Sequence, residues 1–460
     1  MAPRNTTRLK IAAALAIAGS AALGTSLHAQ SADALIDKLV EKGILNVNEA
    51  NQLREESDKE FSKAYSAKSG MPEWVTALKI NGDFRGRVEH FSADDSLFTS
   101  RTRFRYRARV GITATLAEDF EVGVRLTSAD VSNGLGGNPI SANSTFQNGA
   151  TRKAVYFDAA YAKWNPIHNG TWNASTVIGK MDNQFLVSPM VFDPDYQPEG
   201  AAAQIAYSIN DTQSIRAIGA YYALNELNQI SLPGVVSPSH DPSLFGGQML
   251  WESKWSKKLE STVGVGVFAL GSKDNLDNAA TLPNVNDGNT RNGAGQLIYN
   301  YNPVVVSGAV VYKLDSFPMY DGAFPIKLGG EYMNNPGAPT QNVGYNAGVT
   351  FGKSGEKGKW EISYRYQVLG ADAWYEEVVD DDNGAFYQKA LGGSGFANAV
   401  GGFGYRGGTN VKGHLVTMRY SITDSLTFVF TYYLNTLVLP NPAGSTSAAG
   451  HFMADLSWKF

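Results

Sequence analysis

The chain has 460 residues, with 39 Lys+Arg against 43 Asp+Glu, 22 Tyr, 22 Phe, 8 Trp, 48 Gly and no cysteine. An acidic balance of this kind argues against a nucleic-acid partner, whose footprint would be basic. Absence of cysteine excludes a disulfide framework and any thiolate metal site.

Residues 1–29 open with Arg4, Arg8 and Lys10, continue through the short apolar run IAAALAIAGSAALG, and end on small residues at Ala29. These are the three parts of a secretory signal peptide. Its removal leaves 36 basic residues against 43 acidic, a net charge of −7. Beyond residue 29 no run of about 20 apolar residues occurs, so no transmembrane helix is expected.

Residues 30–70 read as a short periplasmic helical segment. Leu35, Ile36 and Leu39 recur at helical spacing, Gly43 interrupts, and Asn46 with Glu49 suits a capping box. The narrow apolar stripe fits either a coiled coil or a solvated linker helix.

From residue 71 to 460 the apolar period is two. Sixteen strands are expected near 75–91, 101–116, 120–129, 153–164, 172–180, 200–209, 212–224, 244–254, 259–270, 304–313, 326–334, 342–353, 359–370, 410–421, 425–437 and 449–460. Tight polar turns such as Glu118-Asp119, Asn210-Asp211 and Thr423-Asp424, with longer members at 165–171 and 314–325, alternate with long connections at 130–152, 181–199, 225–243, 271–303 and 371–409. Short and long connections alternate in this way in a barrel with short periplasmic turns and long outer loops. In the strand at 359–370, Trp360, Ile362, Tyr364, Tyr366 and Val368 share one side, while Glu361, Ser363, Arg365 and Gln367 share the other. The pattern predicts an all-β fold: a 16-stranded antiparallel transmembrane β-barrel, oily outside and wet inside.

Within the second strand, RTRFRYRARV, arginine occupies every second position: Arg101, Arg103, Arg105, Arg107 and Arg109. On the lipid side each would cost about 2 to 4 kcal/mol near the bilayer midplane. All five must therefore face the interior, and the interior must hold water, since an uncompensated guanidinium in a dry core costs more still. Arg85, Arg87 and Arg125 on neighbouring strands extend the set to eight pore-lining arginines. Opposite them, Asp182, Asp193, Asp195 and Glu199 sit in the 181–199 loop, whose Pro189, Pro194 and Pro198 restrict the backbone. That loop is expected to fold inward, narrow the lumen and set acids against the arginines; an ordinary surface loop is the alternative.

Other chemistries find little support. His90, His168, His240, His414 and His451 show no metal spacing. An acidic run at Asp380, Asp381 and Asp382 could attract Ca²⁺ or cations bridging lipopolysaccharide, but such runs in outer loops are usually solvated. The glycines of 391–408 precede no helix and read as loop filler rather than a phosphate cradle. No catalytic pair stands out, and neither an enzyme nor a cofactor is expected.

The stretch GKMDNQFLVSPMVFDPDYQPEGAAAQIAYSI, Gly179 to Ile209, resembles the hallmark of the putative porin family of Gram-negative outer membranes, through Gly179, Lys180, Asn183, Phe185, Phe192, Asp193, Pro194, Asp195, Glu199 and Gly200. Lys180 stands where that family usually has arginine, and Phe192 where it has tryptophan. The helical segment DALIDKLVEKGILNVNEANQL is similar to the N-terminal helix of that family and of phosphate-selective porins, and Trp458-Lys459-Phe460 is similar to the closing signal of outer-membrane barrels. The resemblance implies a homotrimeric, water-filled channel for small solutes, embedded among outer-membrane lipid and lipopolysaccharide. Within that class the arginine ladder favours anions; a general non-selective pore, and a barrel serving mainly as an envelope tether through cell-wall contact of its N-terminal helices, are the alternatives.

Overall fold

The computed structural model describes residues 70–94, 100–131, 136–227, 240–276, 287–292, 296–384, 408–440 and 448–460. The chain divides into two compact units, Met1–Ala77 and Leu78–Phe460. Of the first, only residues 70–77 are described, so the expected signal peptide lies outside the described residues, as does the helical segment apart from Gly70. No described helix is long and apolar enough to cross a membrane.

Seventeen strands form one sheet: β1 (Val75–Ala93), β2 (Arg101–Leu116), β3 (Phe120–Ala129), β4 (Ser144–Thr145), β5 (Ala154–His168), β6 (Trp172–Lys180), β7 (Glu199–Asn210), β8 (Gln213–Ala223), β9 (Ser243–Lys254), β10 (Leu259–Gly271), β11 (Val304–Leu314), β12 (Phe324–Asn334), β13 (Val343–Gly352), β14 (Trp360–Leu369), β15 (Val411–Ser421), β16 (Leu426–Leu437) and β17 (Ala449–Lys459). β4 is a two-residue piece of the connection between β3 and β5, paired to β2. The other sixteen span the barrel. β1 pairs with β2 and also with β17, in antiparallel register from Asp83↔Lys459 to Ala93↔Ala449, so the sheet closes on itself. Closure leaves no edge with unpaired backbone groups, a requirement for a sheet surrounded by hydrocarbon.

Period-two alternation sets the two faces. Phe104, Val110 and Ile112 of β2, Val122, Val124 and Leu126 of β3, Val263, Val265 and Val267 of β10, and Met418 and Tyr420 of β15 are exposed on the outside. Aromatic side chains gather near the short turns: Phe120 stacks on Trp164 (centroids 5.6 Å), Trp172 lies 4.5 Å from Tyr207, Trp251 meets Trp255, and Phe317, Tyr320 and Phe324 surround Trp360. Rings at that level form one interfacial girdle.

Three register shifts depart from simple alternation, one of them at the Ser208–Asn210 end of β7. β5 continues through Pro166 to His168, beyond the strand end expected at residue 164, and its register against β6 shifts between Trp164 and Ile167. Proline cannot donate to the ladder, so the strand passes it by bulging rather than by turning. The turn itself is confined to Asn169–Thr171, where the Trp172 amide donates to the Asn169 side chain at 2.8 Å. A second shift lies between Arg125 and Leu126, where Asp158 is skipped on β5; the extra residue places its carboxylate against Arg125.

The buried apolar cluster of the barrel is not made by strands alone. Phe185, Met190, Val191, Phe192 and Tyr196 from the connection between β6 and β7 pack with Tyr222, Leu244 and Phe268 of the strands and with Trp374, Tyr375 and Val378 of the connection after β14. Two loops therefore fill part of the interior with their own hydrophobic core.

Candidate functional site in the barrel interior

The loop of 181–198 starts and ends at one strand pair. Gly179 of β6 lies opposite Gly200 of β7, and Lys180 opposite Glu199. Both glycines have positive φ (112° and 154°), and a Cβ on either would sit 2.3 Å from the Ala160 carbonyl or 2.1 Å from that of Tyr221. Only glycine lets the backbone bend here against its neighbours.

From this base the loop reaches both sides of the interior. Phe185 packs edge-on to Phe268 at 5.0 Å, and the Leu186 amide donates to the Gln248 side chain at 2.9 Å. At Ser188 the loop meets β12: the Ser188 amide donates to Glu331 at 2.7 Å, as does its hydroxyl, while Asn346 of β13 donates to the Ser188 hydroxyl oxygen at 3.0 Å. It then turns back to β2, where Arg107 donates to Asp195 at 2.9 Å.

The second loop joins the first through main-chain bonds. Asp193 N–H donates to the Val378 carbonyl at 2.8 Å, Asp380 N–H to that of Pro189 at 3.1 Å, and the Trp374 indole to that of Val191 at 2.8 Å. The acidic run at 380–382, expected to be solvated, is instead packed inside: Asp380 is buried and Asp382 lies 3.3 Å from Arg87. The apolar Trp374, Val378 and Val379 just before it draw the segment inward.

Of the eight arginines, Arg85, Arg87, Arg107 and Arg109 line the barrel cavity, while Arg101, Arg103, Arg105 and Arg125 are not among its lining residues. Arg87 forms a bidentate pair with Asp455, its direct cross-strand neighbour on β17, at 2.7 and 2.8 Å. Arg103 and Arg105 donate to the fully buried Glu89 of β1 at 2.5 and 3.3 Å. Arg107 and Arg109 share Asp83 at 3.0 and 2.6 Å. Arg125 pairs with Asp158 and, at 2.6 Å, with Asp182. Arg85 donates to Asn143 at 2.7 Å, and Arg101 is exposed at the outer end of β2. Most compensation therefore comes from strand carboxylates beside the arginines, not from the loop alone. The spacing of Asp83, Arg85, Arg87 and Glu89 on one face of β1 carried that signal.

Of the four acids singled out in the loop, Asp182 and Asp195 reach arginines. Glu199 is the first residue of β7 and lies 3.3 Å from Lys180. Asp193 faces Asp380 and Asp381, one carboxylate oxygen from each lying within 4.8 Å of the others. Burial, then the charges of Asp380, Asp381 and Asp195, push the Asp193 carboxyl well above the usual carboxylate range. Burial and then Asp382 and Asp381 push Asp380 up to about 8. For Asp382 burial acts the same way, but Arg87 and the neighbouring His451, Arg105 and Arg85 outweigh it and hold the group down to about 2.

A cavity of about 1030 Å³ remains beside the two loops. Arg85, Arg87, Arg107 and Arg109 line one part of it, Asp195 and Asp380–Asp382 another, and Lys327, Glu331 and Arg365 the wall of β12–β14. A cavity lined by charged and polar groups in this way can hold water and polar solutes.

Comparison with curated proteins gives no match. Among solved structures, the chain is similar to Pseudomonas putida OprB at high pH (12% identity, 83% of this chain and 94% of that one, TM-score 0.48). It is also similar to Salmonella typhi OmpF in complex with daunomycin (10%, 83% and 97%, TM-score 0.45) and to Rhodopseudomonas blastica porin variants (10%, 84% and 100%, TM-score 0.39). Residues 95–292, which run from the connection before β2 to beyond β10 and include the 181–198 loop, match the family model described as "Putative porin". The match to that family of porins covers somewhat less than half of the chain and takes in the arginine-bearing strand β2 and the 181–198 loop.

Proposed function

We propose that this porin lets small hydrophilic solutes diffuse passively through the space left beside the 181–198 and 371–384 segments, with anions favoured over cations. What carries the reading is the contrast between faces: a cavity of about 1030 Å³ lined by charged and polar groups inside, and a continuous apolar surface outside. Paired arginines along β1, β2 and β3 supply a fixed, non-collapsing polar wall that orients water, because each guanidinium is held by a carboxylate or an amide.

On this reading residues 1–29 are removed on export and 30–70 remain on the periplasmic side, where they could touch the cell wall. A homotrimer among lipid and lipopolysaccharide is proposed on the family resemblance. Purified protein in a planar bilayer tests the function directly. Stepwise conductance, with a reversal potential toward chloride in a KCl gradient, is the expected result; no conductance would remove the channel, and a potassium-directed potential would remove the anion preference.

A further inference from the structure

The cations of the cavity fall into two groups. Arg87, Arg107, Arg109 and Arg419 each have a carboxylate at contact distance, supplied by Asp455, by Asp83 for two of them, and by Glu361. Arg85, Lys327 and Arg365 have no carboxylate oxygen within 4.0 Å among the described residues, though all three line the same cavity.

Their surroundings explain why. Arg365 on β14 lies in register with Gly348 and Leu415, and Lys327 on β12 with Val311 and Thr350, none of which bears a charge. Arg85 has one donor on Asn143, while its Nε is buried without a partner. A guanidinium beside a carboxylate is a dipole whose field fades within a few ångströms, whereas an unmatched cation in a water-filled lumen keeps its full attraction for a mobile ion. The guanidinium forks of Arg85 and Arg365 also suit planar and tetrahedral oxyanions.

We propose that Arg85, Lys327 and Arg365, rather than the paired ladder of β2, make the contacts along which small oxyanions, carboxylates or inorganic phosphate, pass through this porin. The inference rests on the channel reading and names its selective groups.

The test is a bilayer measurement of the chloride-to-potassium permeability ratio for the wild type, for Lys327→Gln with Arg365→Gln, and for the control Arg419→Gln with Glu361→Gln, which deletes a matched pair. The unmatched pair of substitutions should lower the ratio about threefold, as expected for losing unscreened charges several ångströms from the ion path. It should also weaken block of the chloride current by added acetate and by added inorganic phosphate, while the control keeps the wild-type ratio. Block lost for one anion alone would identify which oxyanion these contacts serve. A conducting double variant with an unchanged ratio, or a control that falls as far, overturns the inference and leaves the channel intact. A wild type without conductance overturns both.

Discussion

Ser188 and Glu331, 143 residues apart in sequence, hold the 181–198 loop to the wall of β12: the Ser188 amide and hydroxyl both donate to the Glu331 carboxylate. On the other side Arg107 donates to Asp195 of the same loop at 2.9 Å. The loop is therefore fixed at two walls of the barrel, with its aromatic side chains packed between.

Replacing Glu331 by alanine removes three hydrogen bonds to a charged group, two from Ser188 and one from Asn346, each worth about 1.5–3 kcal/mol. The loop core around Phe185, Phe192 and Trp374 remains, so the barrel should stay folded while the Ser188 turn loosens. Single-channel recordings are expected to show a larger and noisier unit conductance; a trace identical to wild type would mean that this anchor does not limit the opening.

Arg87 is the most heavily compensated guanidinium, paired with Asp455 and close to Glu89 and Asp382. Truncation to alanine would leave buried carboxylates without their partner, a loss of about 3–5 kcal/mol for a broken buried pair. Arg419 is exposed, although its partner Glu361 is partly buried, so the same truncation removes a better-solvated cation and should cost about 1 kcal/mol. Denaturant midpoints of Arg87→Ala and Arg419→Ala measured side by side check the contrast, and equal midpoints would contradict it.

Strand number and closure were legible in the sequence, because a one-residue slip would turn every side chain to the wrong solvent. Less legible was what sits beside the arginines. Asp83 and Glu89 share the inward face of β1 with Arg85 and Arg87, and that spacing was readable; Asp455 depends on which strand closes the ring, and Asp158 on a bulge no alternation reveals. The inward fold of 371–384 was missed because the run Asp380–Asp382 suggests solvent, while Trp374 and Val378, which decide the matter, are few and short-spaced. The Ser188–Glu331 contact is a tertiary event with no local signature.

Lipid-facing and lumen-facing positions should answer differently to the same substitution. Val265 of β10 is exposed on the outside, whereas Ser307 of β11 lines the cavity. Val265→Arg should destabilise the barrel by about 2–4 kcal/mol if it sits near the midplane, seen as a lower urea midpoint on refolding into lipid. Ser307→Arg should leave that midpoint nearly unchanged and instead reduce unit conductance. A reversed ranking would place the two side chains in the wrong solvents.

The cluster of Asp193, Asp380 and Asp381 gives the lumen a pH dependence whose sign can be worked out. The Asp380 carboxyl is pushed up to about 8, so below that pH it holds its proton and adds no charge to the cavity, and Asp193 beside it is shifted in the same direction. As pH rises through about 8 Asp380 ionises, the lining becomes more negative, and anions should lose preference to cations. Repulsion among the three groups also opposes the bonds that tie Asp193 to Val378 and Asp380 to Pro189, because the unfolded chain releases the same protons near pH 4; the junction is thus tighter in acid than in base. Reversal potentials recorded from pH 6 to pH 9 should move toward potassium with a midpoint near the Asp380 value. Asp380→Asn should flatten most of that movement while leaving the potential at pH 6 almost where it was, since the substituted group was uncharged there. A potential independent of pH in the wild type, or a variant that still swings fully, would show that the cluster does not face the ion path.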